Sequence, residues 1–562
     1  MMYSSQAQEQ IRRRFERLYG DRAIQCLSRF DMLAGRYGIE PATPPSPEKW
    51  NQADAFLIAY ADMVRAGGEK PLVTLKRFLD SHLRGAISTV HLLPFFPYSS
   101  DDGFSVIHYR QVDPAVGDWK AVGAVGEHFK LMMDLVLNHV SRKSGWFIDF
   151  TTGTAPGRDF FIVPPTVTDL SAVVRPRTTP LLTPVQTRKG LQHVWTTFSA
   201  DQIDLNFANP DVLFEILDIL LFYIHAGARV IRLDAIAYLW KKIGTSCIHL
   251  PETHEVVKLF RNFLSIVAPD VILLTETNVP HNENIGYFGD GDEAHLVYQF
   301  ALPPLILHAL VNGHARHLAR WAAGLRPPPS GCTFLNFTAS HDGIGVRPLE
   351  GLVPAGEIGT LAAHVGKCGG LVSCKTDTGG TESPYELNVS WIDAMRDRDG
   401  QSDPLHNRRI LCSQAIAMAL KGIPALYFNT LAAAPNDIDG VKRTGLKRSI
   451  NRHKWEEIEL LLSTKRETFS ALVDMLKIRA AHSAFHPDAD QRVLNADDRL
   501  LVVERHNAKT GETVIAACNV SDQVVPFKPG RTDLQPFLGH PTERDPGNME
   551  LPPYEVVWLG SL

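Results

Sequence analysis

Residues 230–240, VIRLDAIAYLW, read as a buried strand with two charges inside it. Val230, Ile231 and Leu233 are interior side chains, yet Arg232 and Asp234 stand two positions apart among them. Successive strand residues point to opposite faces, so the two charges project the same way. Burying an unpaired carboxylate or guanidinium is costly, and even a paired one rarely adds stability. Stability alone disfavours this arrangement, so the pair reads as placed for chemistry.

Outward from this stretch, similar apolar runs recur at 55–62, 88–95, 131–139, 228–235, 271–278, 295–300, 332–342 and 423–429. They are near-continuous rather than alternating, as strands buried on both faces are. Helical patterns such as PDVLFEILDILLFYIHAG (210–227) and ETHEVVKLFRNFLSIVAP (252–269) lie between them. Eight strands alternating with helices predict an α/β fold, a closed (β/α)8 TIM barrel. An open doubly wound sheet is the rival, but no GxGxxG follows an early strand. Residues 140–208 and 344–408 are too long for plain loops and each follows a strand's C-terminal end. After about 488 short alternating runs (RLLVVERHN, TVIAACNVS, EVVWLG) predict a small antiparallel β domain. The expected division is therefore a barrel start with an N-terminal helical extension (1–139), inserted subdomain B (140–208), and the middle barrel (209–343). Inserted subdomain B′ (344–408), the last part of the barrel (409–488) and the C-terminal β domain (489–562) follow.

Composition narrows the function classes. Fifty-seven Lys and Arg against 62 Asp and Glu give a net charge of −5 with no single-sign block, which argues against nucleic acid or an anionic membrane as partner. Seven cysteines, an odd count without a CxxC pair, fit reduced cytoplasmic thiols rather than a disulfide framework or zinc ribbon. The polar N-terminus has no apolar core of a secretory signal, and no uncharged apolar run approaches the roughly 20 residues a membrane span needs. A cytoplasmic monomer or homodimer acting on small molecules is expected.

Polar residues gather at the ends of the apolar runs: Asp134, Asn138 and His139, then Arg232 and Asp234, then Glu276, then His341 and Asp342. In a barrel these ends converge on one pocket, where three carboxylates would face each other. Crowded like charges raise at least one pKa and keep an acid protonated beside an ionised partner. Glycosyl transfer needs that division: one carboxylate attacks while an acid protonates the leaving oxygen. Arg232 would hold Asp234 ionised. Taken singly, each carboxylate reads more readily as a cap or a solvated loop residue; their joint placement carries the inference.

DLVLNH, RLDA, TETN and ASHD, in this order, resemble the signature regions of the α-amylase-type glycoside hydrolases. LLPFFPYSSDDGFSVIHYRQVDPAVGDW, GTSCIHLPETH and INRHKW narrow the resemblance to the sucrose-phosphorylase branch, from about residue 50 to the C-terminal domain. RPRTTPLLTPVQTR, WTTFSADQIDLNF and SPYELNVSWIDAM look most like the longer members, which phosphorolyse 2-O-α-glucosylglycerate or sucrose 6′-phosphate. The resemblance implies that Asp234 is the nucleophile, Glu276 the general acid/base and Asp342 the transition-state stabiliser, with net retention. It implies donor-site contacts from Asp101, Phe104, His139, Arg232, His341 and Arg452. It also implies no metal, although Asn138 matches a calcium ligand in some amylases, and no cofactor.

A phosphorylase needs fixed cations beside the leaving-group site. VVRPRTTPLLTPVQTRKG (173–190) and GVKRTGLKRSINR (440–452) supply them. Arg175 and Arg177, stiffened by Pro176, are the first candidates to bind phosphate or an anionic acceptor, with Lys447 and its neighbours Lys442, Arg443 and Arg448 as the second set. Most of these are expected to be surface charges. Tyr385 and Glu386 fall where the plain sucrose enzymes carry Tyr-Gln; Glu386 would bind acceptor hydroxyls or stand at the rim. His249 and His254 of HLPETH do not form the HExxH zinc helix and read as packing, as does Cys247. The reaction expected is phosphorolysis of glucosylglycerate to α-glucose 1-phosphate and D-glycerate. Sucrose 6′-phosphate, sucrose or glucosylglycerol phosphorolysis, an amylase-like hydrolase and a non-catalytic relative remain as alternatives.

Overall fold

The computed structural model describes residues 5–37, 48–165, 167–176, 179–376, 382–397, 403–531, 533–545 and 547–561. Eight parallel strands close into a barrel: β1 (Phe56–Ala59), β2 (Thr89–Leu92), β3 (Lys130–Val136), β4 (Ala228–Asp234), β5 (Ile272–Thr275), β6 (Leu296–Tyr298), β7 (Thr333–Phe337) and β8 (Ile423–Tyr427). Each pairs with its neighbours in chain order, and β8 closes on β1. All eight apolar runs form these strands because each is packed on both faces, by the barrel interior and by the surrounding helices. Register sets Asp134 beside Arg232 and Val136 beside Asp234 across β3 and β4, and Arg232 beside Leu274 across β4 and β5.

Every strand ends before its apolar run does, and in two runs the part beyond the strand shapes the site. The run 131–139 breaks after Val136, and His139–Ser141 leaves the barrel to pair antiparallel with Gln202–Asp204. The run 332–342 is strand only to Phe337; Thr338 to Asp342 form a loop that bends over the barrel mouth. The polar ends of both runs leave the ladder where a carboxylate or imidazole must face the mouth.

Between β3 and β4 lie the helix Gly145–Thr152 and the hairpin Leu182–Thr187/Gly190–Trp195. Between β7 and β8 a three-stranded antiparallel sheet (Ile344–Gly345, Leu371–Thr376, Glu382–Asn388) carries the helix Ala355–Lys367. From Asp490 onward five- and three-stranded antiparallel sheets follow. Alternation divides the larger sheet: Leu501, Val503, Val514 and Ala516 join the barrel core, while Leu500, Val502, Ile515 and Ala517 join a second core. The N-terminal helices Ser5–Tyr19 and Ala23–Arg36 pack outside the barrel, with Phe15 against Phe30 and Phe214. No helix among the described residues is long and apolar enough to cross a membrane.

The loop after β2 shows how the backbone is shaped for the mouth. Asp101 and Asp102 have φ of 53° and 48°, and Gly103 has φ of 109°. A Cβ on Gly103 would stand 2.4 Å from the Pro94 carbonyl oxygen, so only glycine lets this loop lie down. Phe104, the next residue, thereby stacks on His341.

Candidate active site

The C-terminal ends of the strands open on one pocket. Asp101, Phe104, His139, Asp234, Glu276, His341 and Asp342 line it. Pro176, Phe198 and Gln202 reach it from the segment between β3 and β4, Tyr385 from the segment after β7, and Arg448 from the chain after β8.

The opening charges of β4 sit at its base. Arg232 is 4% exposed and its Nη1 bonds both Asp134 and, at 2.9 Å, Asp234 Oδ1. Asp134 also accepts from His91 Nε2 at 2.6 Å. Burial alone would raise Asp134, but Arg232 and His91 hold it down at about 2. Arg232 is thus largely spent on Asp134. Burial, reinforced by Glu276, Asp134 and Asp342, pushes Asp234 well above the usual carboxylate range in spite of the guanidinium. Arg232 is shared among Asp134, Asp234 and, at 4.0 Å, Glu276, so its pull on Asp234 works against burial and the neighbouring acids.

Glu276 follows β5, and its Oε2 accepts from the Ala235 amide at 2.9 Å. Ala235 presents that amide because it adopts a left-handed turn, φ 50°. Burial raises Glu276 as well, and Asp342 adds to the effect. Two neighbouring carboxyls raised together hold a proton in common. Arg232 contacts Asp234 at 2.9 Å but Glu276 only at 4.0 Å, so its charge favours the ionised form of Asp234 more than that of Glu276.

Asp342 is the opposite case. Burial would raise it, yet Arg448, His341 and Arg452 hold it far below the ordinary range. Arg448 Nη1 stands 2.7 Å from Asp342 Oδ1, and Arg452 Nη2 3.6 Å. Neither contact is an aligned hydrogen bond; the buried Oδ1 is held by the two guanidinium charges alone. Arg452 also bonds the His341 carbonyl at 3.0 Å and reaches Asp101 at 3.4 Å and Asp102 at 3.1 Å. His341 stacks on Phe104 with ring centroids 4.7 Å apart, and burial drives its pKa down to about 3, so it is neutral. His139 Nε2 meets the Phe104 carbonyl at 2.9 Å and Gln202 at 3.1 Å.

The anion-binding candidates sort differently from their order in the chain. Arg177 lies outside the described residues. Arg175 is exposed and does not line the pocket, although its neighbour Pro176 does. Lys447 is exposed and donates to the Val372 carbonyl at 2.9 Å. Glu386 is 2% exposed and does not stand at an acceptor rim. Its carboxylate clamps Arg448, accepting from Nη2 at 2.7 Å and Nε at 3.3 Å. Arg448, ranked behind Lys447 and Arg177 in the sequence, is the described cation of those two segments that enters the pocket. Gln202, Phe198, Tyr238 and Asn278 line it too and were not singled out. Phe198 and Gln202 lie inside WTTFSADQIDLNF, whose run of polar and aromatic residues between strands was the available signal.

Asn138 Oδ1 accepts from Lys241 Nζ at 2.7 Å, and the same ammonium lies 2.6 Å from Asp204 Oδ2. Lys241 is 3% exposed and Asp204 fully buried. A lysine ammonium thus fills the space between these oxygens. Lys241→Met is expected to leave Asp204 uncompensated and to cost about 3 kcal/mol or more; chemical denaturation measures it, and an unchanged midpoint would refute the assignment. His249 bonds Tyr287 at 2.9 Å, His254 bonds Glu293 at 2.8 Å, and Cys247 packs on Leu181 and Trp195.

A closed parallel barrel with three carboxylates at its C-terminal mouth defines a glycoside-processing enzyme, and the comparisons agree. The α-amylase catalytic domain matches residues 85–322. The glucosylglycerate phosphorylase of Spirochaeta thermophila is 45% identical, covering 91% of this chain and 90% of its own. A sucrose phosphorylase of Agrobacterium vitis is 33% identical, over 76% of this chain and 88% of its own. The crystal structure of sucrose 6F-phosphate phosphorylase from Thermoanaerobacter thermosaccharolyticum superposes with a TM-score of 0.73 at 26% identity, covering 84% of this chain and 94% of that one. The chain belongs to the sucrose-phosphorylase branch of the α-amylase-type glycoside hydrolases, with the glucosylglycerate phosphorylases among its relatives.

Proposed function

We propose that the protein is a retaining α-glucosyl phosphorylase that converts 2-O-α-D-glucosylglycerate and phosphate to α-D-glucose 1-phosphate and D-glycerate. The observation that carries the substrate is 44–45% identity to three glucosylglycerate phosphorylases, each over 84% or more of this chain. Phosphorylases of sucrose, sucrose 6-phosphate and glucosylglycerol stand at 28–33%.

In the first displacement Glu276 passes its proton to the glycosidic oxygen, which departs with D-glycerate. Asp234 attacks the anomeric carbon from the opposite face and forms a β-glucosyl ester. Asp342, held ionised, faces the positive charge that develops on the sugar ring. In the second displacement Glu276 takes a proton from dihydrogen phosphate, whose oxygen breaks the ester and restores the α configuration. His341, His139, Asp101 and Arg452 hold the glucosyl hydroxyls, and Phe104 stacks under the ring. Arg448 gives Nη2 and Nε to Glu386, sets Nη1 2.7 Å from Asp342 Oδ1, and lines the pocket wall. It is our anchor for phosphate and for the glycerate carboxylate in turn. Tyr385 closes the acceptor side. The segments 140–208 and 344–408 act as the subdomains that deliver these side chains. Seven free cysteines support a cytoplasmic setting.

The reverse reaction tests the substrate. The enzyme receives α-glucose 1-phosphate with D-glycerate, fructose 6-phosphate, fructose or glycerol, and phosphate release is measured. D-glycerate should give the largest kcat/KM; a preference for fructose 6-phosphate would shift the assignment to sucrose 6′-phosphate, and release without acceptor would indicate hydrolysis. A pH series tests the acid. Because burial and Asp342 raise the pKa of Glu276, the protonated acid persists to higher pH than in a free carboxyl, and phosphorolysis should decline as pH rises through that raised value. Glu276→Gln should remove this alkaline limb and slow the reaction by roughly 10²–10⁴-fold. It should spare α-glucosyl fluoride, whose leaving group needs no proton, in the first step. An unaltered alkaline limb in the variant would reassign the proton.

A further inference from the structure

Outside the pocket lining, three histidines and a glutamate converge where the segment after β7 meets the barrel. His308 is on the helix Leu302–Asn312 that follows β6, His317 is in the first turn of the helix Arg316–Ala323, and His314 is in the turn joining them. Glu357 comes from the first turn of the helix Ala355–Lys367. Glu357 Oε2 lies 2.6 Å from His308 Nε2 and 3.5 Å from His317 Nε2. One ligand atom of each of the three residues lies within 4.8 Å of the others.

The rings are also spaced as ligands of one ion. Centroids are 5.2 Å apart for His308 and His317, 5.5 Å for His308 and His314, and 6.0 Å for His314 and His317. Imidazoles on one tetrahedral zinc, with Zn–N bonds of about 2.0–2.1 Å, place their centroids about 5 Å apart. His314 and His317 each bury an Nδ1 without a hydrogen-bond partner. No residue of this cluster has a part in the glucosyl chemistry.

We infer that His308, His317 and Glu357 bind a zinc ion, with His314 beside the fourth position, and that the ion ties the segment between β7 and β8 to the barrel. Imidazole and carboxylate ligands in a tetrahedral arrangement suit Zn²⁺ rather than calcium or magnesium, which take oxygen. The tie matters for the pocket because the same segment carries Tyr385 and Glu386, the residues that line it and hold Arg448.

Untagged full-length protein, stripped with a chelator, is loaded with zinc sulfate and desalted, and its metal is measured by mass spectrometry. One zinc per chain is expected in the wild type, with a higher thermal midpoint than the stripped protein. Glu357→Gln and His317→Asn, both at partly exposed positions, should lose the zinc and the shift while the stripped proteins unfold like the stripped wild type. Cobalt(II) should give the visible absorption of a four-coordinate site in the wild type alone. Failure of the wild type to retain metal, or equal retention by both variants, overturns the site. Should a variant misfold, the wild-type cobalt spectrum decides: octahedral absorption, or none, also overturns it.

Discussion

Asp234→Ala should reduce phosphorolysis by roughly 10⁴-fold or more, the scale on which loss of a covalent nucleophile acts, or about 5.5 kcal/mol of transition-state free energy. The fold should not suffer. Asp234 is a buried acid whose ionisation burial opposes, and Asp134 competes for Arg232, the cation beside it. Its removal relieves repulsion with Glu276 and Asp342, so the thermal midpoint should hold or rise. Azide added to the variant should enter the face that the carboxylate vacates and yield β-glucosyl azide. Turnover within about tenfold of the wild type, or an α-azide product, would place the nucleophile elsewhere.

Arg448→Ala should be the second most damaging change, for two separable reasons. It deprives Asp342 of the cation that does most to keep it ionised, so the acidic limb of the pH profile should move upward. It also leaves Glu386 buried without its partner, at a cost of about 3 kcal/mol. Glu386→Gln in the same chain should recover much of that stability and none of the activity. Arg448→Lys should rescue poorly, because an ammonium cannot span both oxygens of Glu386 while facing Asp342. The expected loss in kcat/KM is roughly 10²–10³-fold with D-glycerate and distinctly smaller with glycerol, which has no carboxylate. Equal losses with the two acceptors would confine Arg448 to supporting Asp342 and remove it as an anion anchor.

The barrel was legible because its evidence is local. Each strand is a short apolar run, and double burial leaves no alternation to confuse with an exposed sheet. The carboxylates at the ends of three runs were legible for the same reason: an acid at the edge of an interior segment stands out against its neighbours. Even here the lengths were overread, since a run does not say where its last residues turn out of the ladder, as His139 and Asp342 do. The acceptor side resisted. Lys447 and Arg448 are adjacent, yet one faces the surface and the other the pocket; only the short helical turn Lys447–Asn451 decides which. Glu386 reads as a rim carboxylate until Arg448, 62 residues away, is seen in its grasp.

The amino-acid order therefore determined the architecture, the family and the three acids, all of which follow from patterns within a few residues of each other. The tertiary structure alone decided how charge is shared among them: Arg232 divided between Asp134 and Asp234, Arg448 between Asp342 and Glu386, Lys241 between Asn138 and Asp204. Electrostatic energy depends on separations through space and on exclusion of water, and neither quantity is written in the spacing of residues along a chain.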